Sequence, residues 1–208
     1  MKDDNKIFPE KLFACWHPIG YSDEVKADSP FGTFLLDEPI VVWRSSGGGI
    51  HAMRDVCIHR GTALSLGWIK DDCLVCPYHA WQFDKKGDCV KIPQAPDTEI
   101  PRKAKTPAYH CQEKFGLVWV ALKEPVYDLP DIPEYESADW KLVNTGPFDW
   151  KSDSSRQVEN FTDFGHFPWV HPGILGDPER PKVPECKVTI KDLVLHYAVD
   201  RIRVVEGR

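Results

Sequence analysis

Two short stretches are the most informative part of this sequence: CIHRGT, which begins at residue 57, and CPYHAW, which begins at residue 76. Each stretch places a cysteine first and a histidine two or three residues later, in a segment that follows a short strand-like run. Because the same two residue types recur in both stretches, a chance occurrence of four residues with unrelated roles explains the pattern poorly. The pattern predicts one metal centre held between two loops. Its candidate ligands are Cys57, His59, Cys76 and His79.

Two kinds of metal centre use two cysteines and two histidines. A structural zinc ion takes such a set in tetrahedral geometry, but zinc fingers usually pair Cys with Cys and His with His along the chain. Here each loop supplies one residue of each type. That distribution suits a [2Fe–2S] cluster in which one iron takes both thiolates and the other takes both imidazoles. The residues therefore favour a cluster over zinc.

A second candidate metal site lies in ENFTDFGHFPWVHPG, which begins at residue 159. It carries Asp163, His166 and His171, and we expect Asp163 to precede His166 by one helical turn. A lone histidine is most often a core or surface residue. Two histidines beside a carboxylate are the donor set typical of non-haem Fe(II) sites that react with O₂.

Strand-like patterns dominate the first 126 residues, and the pattern then changes. We predict a β domain over 1–126, a linker over 127–139 that is rich in proline and acidic residues, and a second domain over 140–208. Within the second domain the spacing predicts a helix over 156–164, followed by strands at 188–190 and 193–199. The strongest strand pattern is FGLVWVAL, residues 115–122.

Composition excludes several classes of protein. The chain has 208 residues, 42% hydrophobic and 28% charged, which is typical of a soluble globular protein. Its net charge of −6 argues against nucleic-acid binding. No apolar run approaches a membrane span, and the charged start MKDDNKIF lacks a signal core, so we expect a cytoplasmic protein. Seven cysteines, an odd number, favour metal ligands or buried thiols over disulfides.

CIHRGTALSLG and CPYHAWQFDKKGDCVKIP resemble the Rieske domain of ring-hydroxylating oxygenases, and the likeness extends from about Trp16 to Val120. The resemblance implies a mainly β Rieske domain of antiparallel sheets, followed by the start of an α+β helix-grip catalytic domain. The extra cysteines of respiratory Rieske proteins, which form a disulfide across the cluster, are absent. Ala80 stands where the family usually has glycine, and we expect the substitution to be tolerated.

The second motif resembles the iron-binding motif of the large, terminal oxygenase subunits of the same family. The resemblance implies that His166 and His171 bind a mononuclear Fe(II). It gives Asp163 a different role, as a bridge from His166 to the His79 of a neighbouring subunit in a homotrimer. Asn160 takes the place of a polar residue near the iron.

The family's third iron ligand is an Asp on a later helix, and too few residues follow His171 to supply it. Asp177, Asp192 and Asp200 are present but lack the expected context. We therefore expect the third ligand to lie outside these residues and the chain to be a fragment.

The resemblance implies that the chain belongs to the terminal oxygenase of a multicomponent system. Its motifs are most similar to those of the monooxygenase and demethylase branch. Electrons would pass from an NAD(P)H-dependent reductase or a ferredoxin through the cluster to mononuclear iron. The reaction would be O₂-dependent hydroxylation or demethylation of an aromatic or heterocyclic substrate. Two alternatives are a ferredoxin-like Rieske electron carrier and a truncated, inactive oxygenase.

Overall fold

The computed structural model describes residues 8–143, 145, 148–183, 185–191 and 194–199. The chain divides into two compact units, Met1–Leu142 and Val143–Arg208. The predicted boundaries at 126 and 139 stay predictions. The described strands are β1 His17–Tyr21, β2 Phe31–Leu35, β3 Glu38–Arg44, β4 Ile50–Arg54, β5 Trp68–Lys70, β6 Cys73–Val75, β7 Gln82–Phe83, β8 Cys89–Lys91, β9 Ala108–Lys114, β10 Leu117–Ala121, β11 Cys186–Lys191 and β12 Val194–Val199. The α-helices are α1 Ser154–Thr162 and α2 Phe167–Val170.

The first unit contains two antiparallel sheets. The larger has six strands in the order β1-β10-β9-β4-β3-β2, and the smaller has four in the order β5-β6-β7-β8. Short 3₁₀ turns lie at Glu10–Ala14, Leu64–Leu66 and Pro133–Tyr135. The predicted mainly antiparallel β fold is confirmed. The sequence patterns missed β9, which has no fully buried residue and follows a loop rich in proline and lysine.

Strand β3 connects the two hydrophobic cores of the first unit. Val41 and Trp43 belong to the core that also contains the two ligand cysteines, while Ile40 and Val42 belong to the other core. All four side chains are fully buried. Successive side chains of a strand point to opposite faces, so a strand buried on both faces serves both cores. This packing fixes the six-stranded sheet, from which the first ligand loop leaves at the end of β4.

Both ligand loops connect strands of the first unit. One runs between β4 and β5, and the other between β6 and β7. The small sheet therefore holds the second loop directly through the β6–β7 pair, in which Val75 lies opposite Gln82.

The second unit contains α1, α2 and the β11–β12 hairpin. Helix α1 begins after Asp153, whose Oδ1 accepts the Ser155 N–H at 2.8 Å, a side-chain N-cap. The helix ends at Thr162, so the prediction that it continues to residue 164 is wrong. Asp163 instead has extended backbone, with φ −90° and ψ 102°. Within the described residues, no helix has the length and apolar character needed to cross a membrane.

Candidate metal centres

The first ligand loop is closed by its own backbone. The N–H of Cys57 donates to the carbonyl of Thr62 at 2.8 Å, and the N–H of Gly61 donates to the carbonyl of Cys57 at 2.8 Å. Gly61 has φ +76°, a conformation that glycine adopts without cost. The base of the loop is tied by Asp55, which accepts the Ser65 N–H at 2.7 Å.

The second ligand loop repeats this scheme. The N–H of Cys76 donates to the carbonyl of Trp81, and that of Ala80 to the carbonyl of Cys76, both at 2.9 Å. Ala80, in the place of the first loop's glycine, has φ +56°. The histidines do not match in the same way: His59 is two residues after its cysteine and His79 is three. The two loops share a backbone fold but present their imidazoles from different positions.

The imidazoles of His59 and His79 meet where the two loops approach each other. Their ring centroids are 4.5 Å apart. The Nδ1 atoms of both rings are buried and find no hydrogen-bond partner in the described part of the chain. Buried polar atoms in proteins are normally paired. The two imidazole nitrogens, which are unpaired among the described residues, are therefore available to bind metal.

The thiols of Cys57 and Cys76 complete the donor set, with exposed fractions of 2% and 1%. Burial raises the pKa of the Cys57 thiol to about 11, so a thiolate there needs a compensating positive charge, which a bound metal provides. No three Cys, His, Asp or Glu side chains among the described residues are grouped to hold one metal ion.

Two contacts in this site have no counterpart in the sequence motifs. The Trp81 ring stacks on His59 with centroids 4.5 Å apart and planes 2° from parallel. The Gln94 side chain donates from Nε2 to the backbone carbonyl of His79 at 2.8 Å. The eight tryptophans of the sequence do not single out Trp81 by their number, and no sequence signal pointed to Gln94.

The second candidate site flanks helix α2. His166 precedes this helix and His171 follows it, and their ring centroids are 5.5 Å apart. His166 Nδ1 lies 3.3 Å from Asp163 Oδ2. With the proton assigned to Nδ1, the bond leaves Nε2 with its lone pair available to a metal. The predicted helical turn between Asp163 and His166 is wrong, yet a bend that Asp163 Oδ1 stabilises through the Gly165 N–H, at 2.8 Å, brings them together.

The other predicted residues of the second site are dispersed. Asn160 lies exposed on α1. Asp177 caps a turn by accepting the Glu179 N–H at 2.9 Å. Asp192 and Asp200 lie outside the described residues. Among the described residues, no three His, Cys, Asp or Glu side chains form a group that could hold a metal ion, so the third ligand stays unassigned.

The two ligand loops on antiparallel β sheets define a Rieske-type iron–sulfur protein. A Rieske [2Fe-2S] domain model matches residues 15–110, and a vanillate O-demethylase oxygenase C-terminal domain model matches residues 150–205. The chain therefore belongs to the Rieske oxygenase family, with its Rieske domain followed by part of the oxygenase C-terminal domain. The Rieske domain supports a [2Fe–2S] cluster in this chain.

Two curated relatives are demethylases of Pseudomonas putida. Methylxanthine N1-demethylase NdmA is 38% identical over 183 residues, which cover 84% of this chain and 52% of that protein. Methylxanthine N3-demethylase NdmB is 34% identical over 204 residues, covering 92% and 57%. The structure of Pseudomonas putida CBB5 NdmA with caffeine matches with a TM-score of 0.86 at 34% identity, over 94% of this chain and 59% of that one. The chain spans about half the length of these relatives.

Proposed function

We propose that this chain is part of the terminal oxygenase component of a Rieske non-haem iron oxygenase, with Cys57, His59, Cys76 and His79 as cluster ligands. The observation that carries the proposal is the pair of buried Nδ1 atoms that find no hydrogen-bond partner among the described residues, together with two buried thiols. When bound, the cluster accepts and releases one electron at a time. The chain's own contribution is to hold the four donors and to cover His59 with the Trp81 ring.

His166 and His171 are the proposed ligands of a mononuclear Fe(II), which when bound provides the centre for O₂ chemistry. Asp163 accepts a hydrogen bond from His166, which orients the imidazole toward a metal. The presence of this pair in the second unit favours an oxygenase over a simple electron carrier, because a carrier has no use for a second iron site.

The proposed electron source is an NAD(P)H-dependent reductase, with or without a ferredoxin, and the proposed assembly is a homotrimer. The proposed substrate is an aromatic or heterocyclic molecule that is hydroxylated or demethylated. The two demethylase relatives support N-methyl heterocycles as the first class to examine. Oxidative demethylation consumes O₂, two electrons and two protons, and it releases the methyl carbon as formaldehyde and one oxygen atom as water.

Metal stoichiometry tests this proposal. The full-length protein, purified without O₂ and reconstituted with iron and sulfide, should hold about three irons and two acid-labile sulfides per chain. His166→Ala should remove about one iron and leave both sulfides, whereas Cys57→Ser should remove the sulfides. Two irons in the unaltered protein, insensitive to His166→Ala, would indicate an electron carrier or an inactive relic. One zinc without sulfide would refute the cluster.

Activity is tested separately with a chemical reductant or a reductase of the same class. A panel of N-methyl heterocycles and O-methyl aromatic acids should yield formaldehyde from at least one class in proportion to O₂ consumed. Formaldehyde from none of them, in protein with both iron sites loaded, would contradict demethylation.

A further inference from the structure

The peptide unit between His79 and Ala80 is held by hydrogen bonds at both ends. Its N–H, on Ala80, donates to the carbonyl of Cys76 at 2.9 Å. Its carbonyl, on His79, accepts from Nε2 of Gln94 at 2.8 Å. This peptide plane is therefore fixed from both sides, and one of the two bonds comes from outside the loop.

The backbone conformation of Ala80 makes this orientation of the peptide energetically unfavourable. Its φ of +56° lies in the left-handed region, where a Cβ crowds the backbone and an L residue loses about 1 kcal/mol relative to glycine. Gly61, the corresponding residue of the first loop, bears no such cost at φ +76°. Rotating the His79–Ala80 peptide by about half a turn would return Ala80 to negative φ, as in the conversion of a type II turn to type I. That rotation would break both hydrogen bonds and displace the backbone that carries His79.

Gln94 reaches the loop from a well-anchored segment. Ile92, directly after β8, packs against the core that surrounds the ligand cysteines. Pro93 restricts the backbone at the next position. The N–H of Ala95 donates to the carbonyl of Ile92 at 3.0 Å and closes a turn around Gln94. The Gln94 amide therefore acts from a segment that is anchored by the packing of Ile92 and by its own turn.

We propose that Gln94 is a positioning residue for the second ligand loop. Its amide opposes the peptide rotation that Ala80 favours, and so keeps His79 directed into the site. The inference rests on the proposed cluster ligation. It has a specific consequence: the contribution of Gln94 depends on the residue at position 80. With glycine at position 80, the left-handed conformation is only slightly unfavourable, so the Gln94 amide should contribute less to holding the peptide.

A double-mutant cycle tests this dependence, with the unaltered holoprotein, Gln94→Met, Ala80→Gly and the double variant. Two measurements report on the loop: the visible circular dichroism of the cluster and the rate of iron release to a chelator. Gln94→Met should alter the dichroism and release iron roughly fivefold faster, the factor expected for one net hydrogen bond. In the Ala80→Gly background the same substitution should change the rate by less than about twofold. Thr98→Val, an isosteric change in the same exposed segment, should leave both readouts unchanged.

Equal rate factors in the two backgrounds would overturn the compensation, and unaltered dichroism in Gln94→Met would overturn the positioning role. If Gln94→Met holds no cluster, recovery of the cluster in the double variant supports the inference and its absence contradicts it. An unaltered protein without iron and sulfide would refute the cluster proposal instead. Hydrogen exchange at the Ala80 amide then tests the contact by itself: it should be faster in Gln94→Met than in the double variant, and equal rates overturn the inference.

Discussion

The rings of His59 and Trp81 lie face to face across the two ligand loops, 4.5 Å apart and within 2° of parallel. His59 belongs to the loop after β4, and Trp81 ends the loop before β7. A ligand of one loop is therefore covered by an aromatic residue of the other. Aromatic contacts of this kind contribute about 0.5–1.5 kcal/mol beyond the area they bury.

Replacing Trp81 should loosen His59. Trp81→Leu keeps an apolar side chain but removes the stacked ring, so we expect altered visible dichroism and iron release about two- to tenfold faster. Trp81→Phe should be intermediate. Trp68→Leu, at a tryptophan that is 44% exposed in β5, is the matched control. Equal effects at the two tryptophans would show that the stack contributes nothing specific.

Asp163 is expected to link the two metal sites between subunits. Its Oδ2 faces His166, and its Oδ1 already accepts the Gly165 N–H, so a second histidine must share one of these oxygens. Asp163→Asn should keep both metals in the assembled oxygenase. It should slow O₂-dependent oxidation of the reduced cluster by at least about tenfold, because an amide cannot serve as a charged bridge between two imidazoles. Stopped-flow absorbance after mixing with O₂ measures this rate.

The control for Asp163 is Glu159→Gln, which removes an exposed carboxylate of α1 that pairs with Arg156. It should leave the oxidation rate unchanged. A normal rate in Asp163→Asn would refute the bridge, and loss of iron from that variant would make Asp163 a ligand instead.

Tyr197 supports the backbone next to Asp163. Its hydroxyl donates to the Thr162 carbonyl at 3.3 Å, and its ring stacks on Phe164 with planes 5° apart. Tyr197→Phe removes this hydrogen bond, together with the contact of the hydroxyl with Cys186 Sγ at 2.9 Å, but keeps the stack. Metal affinity at the second site should therefore fall by roughly two- to tenfold. Tyr197→Leu, which also removes the stacked ring, should lower the metal affinity further. Titration with Co(II) in the full-length oxygenase measures the affinity, and an unchanged affinity in both variants would dismiss this support.

The ion pair of Arg44 and Glu113 should make the stability of the first unit depend on pH. The guanidinium donates to both carboxylate oxygens, at 2.8 and 2.7 Å, and holds the pKa of Glu113 below its ordinary value of 4.5. Its stabilisation is therefore complete above pH 4.5 and is lost as the pH falls through the lower, folded-state pKa.

Glu113→Gln should lower the free energy of unfolding by about 1 kcal/mol at pH 7, and by less once the carboxyl is protonated. Urea denaturation at several pH values measures this difference. The control is Glu124→Gln, at a carboxylate that is 86% exposed beside His110 and should have little effect. A pH-independent loss in Glu113→Gln would contradict the assignment.

Local sequence patterns were sufficient to identify the candidate donors. Cys57, His59, Cys76 and His79 are recognisable because a Rieske cluster requires those residue types at close spacing in two loops, and the antiparallel β class follows from local alternation. The pair His166 and His171 was predicted as an iron site for the same reason, and it stays a prediction. Such features depend on residues near one another in the chain, which local patterns can report.

How those candidate donors are held could be seen only in the tertiary structure. Strand β9, the end of α1 at Thr162, the stack of Trp81 on His59 and the bond from Gln94 to His79 depend on which segments pair and in what register. Gln94 reaches His79 because the β7–β8 hairpin folds the chain back beside the ligand loop. A contact made by chain reversal leaves no local pattern, so residue types and spacing could not have predicted it.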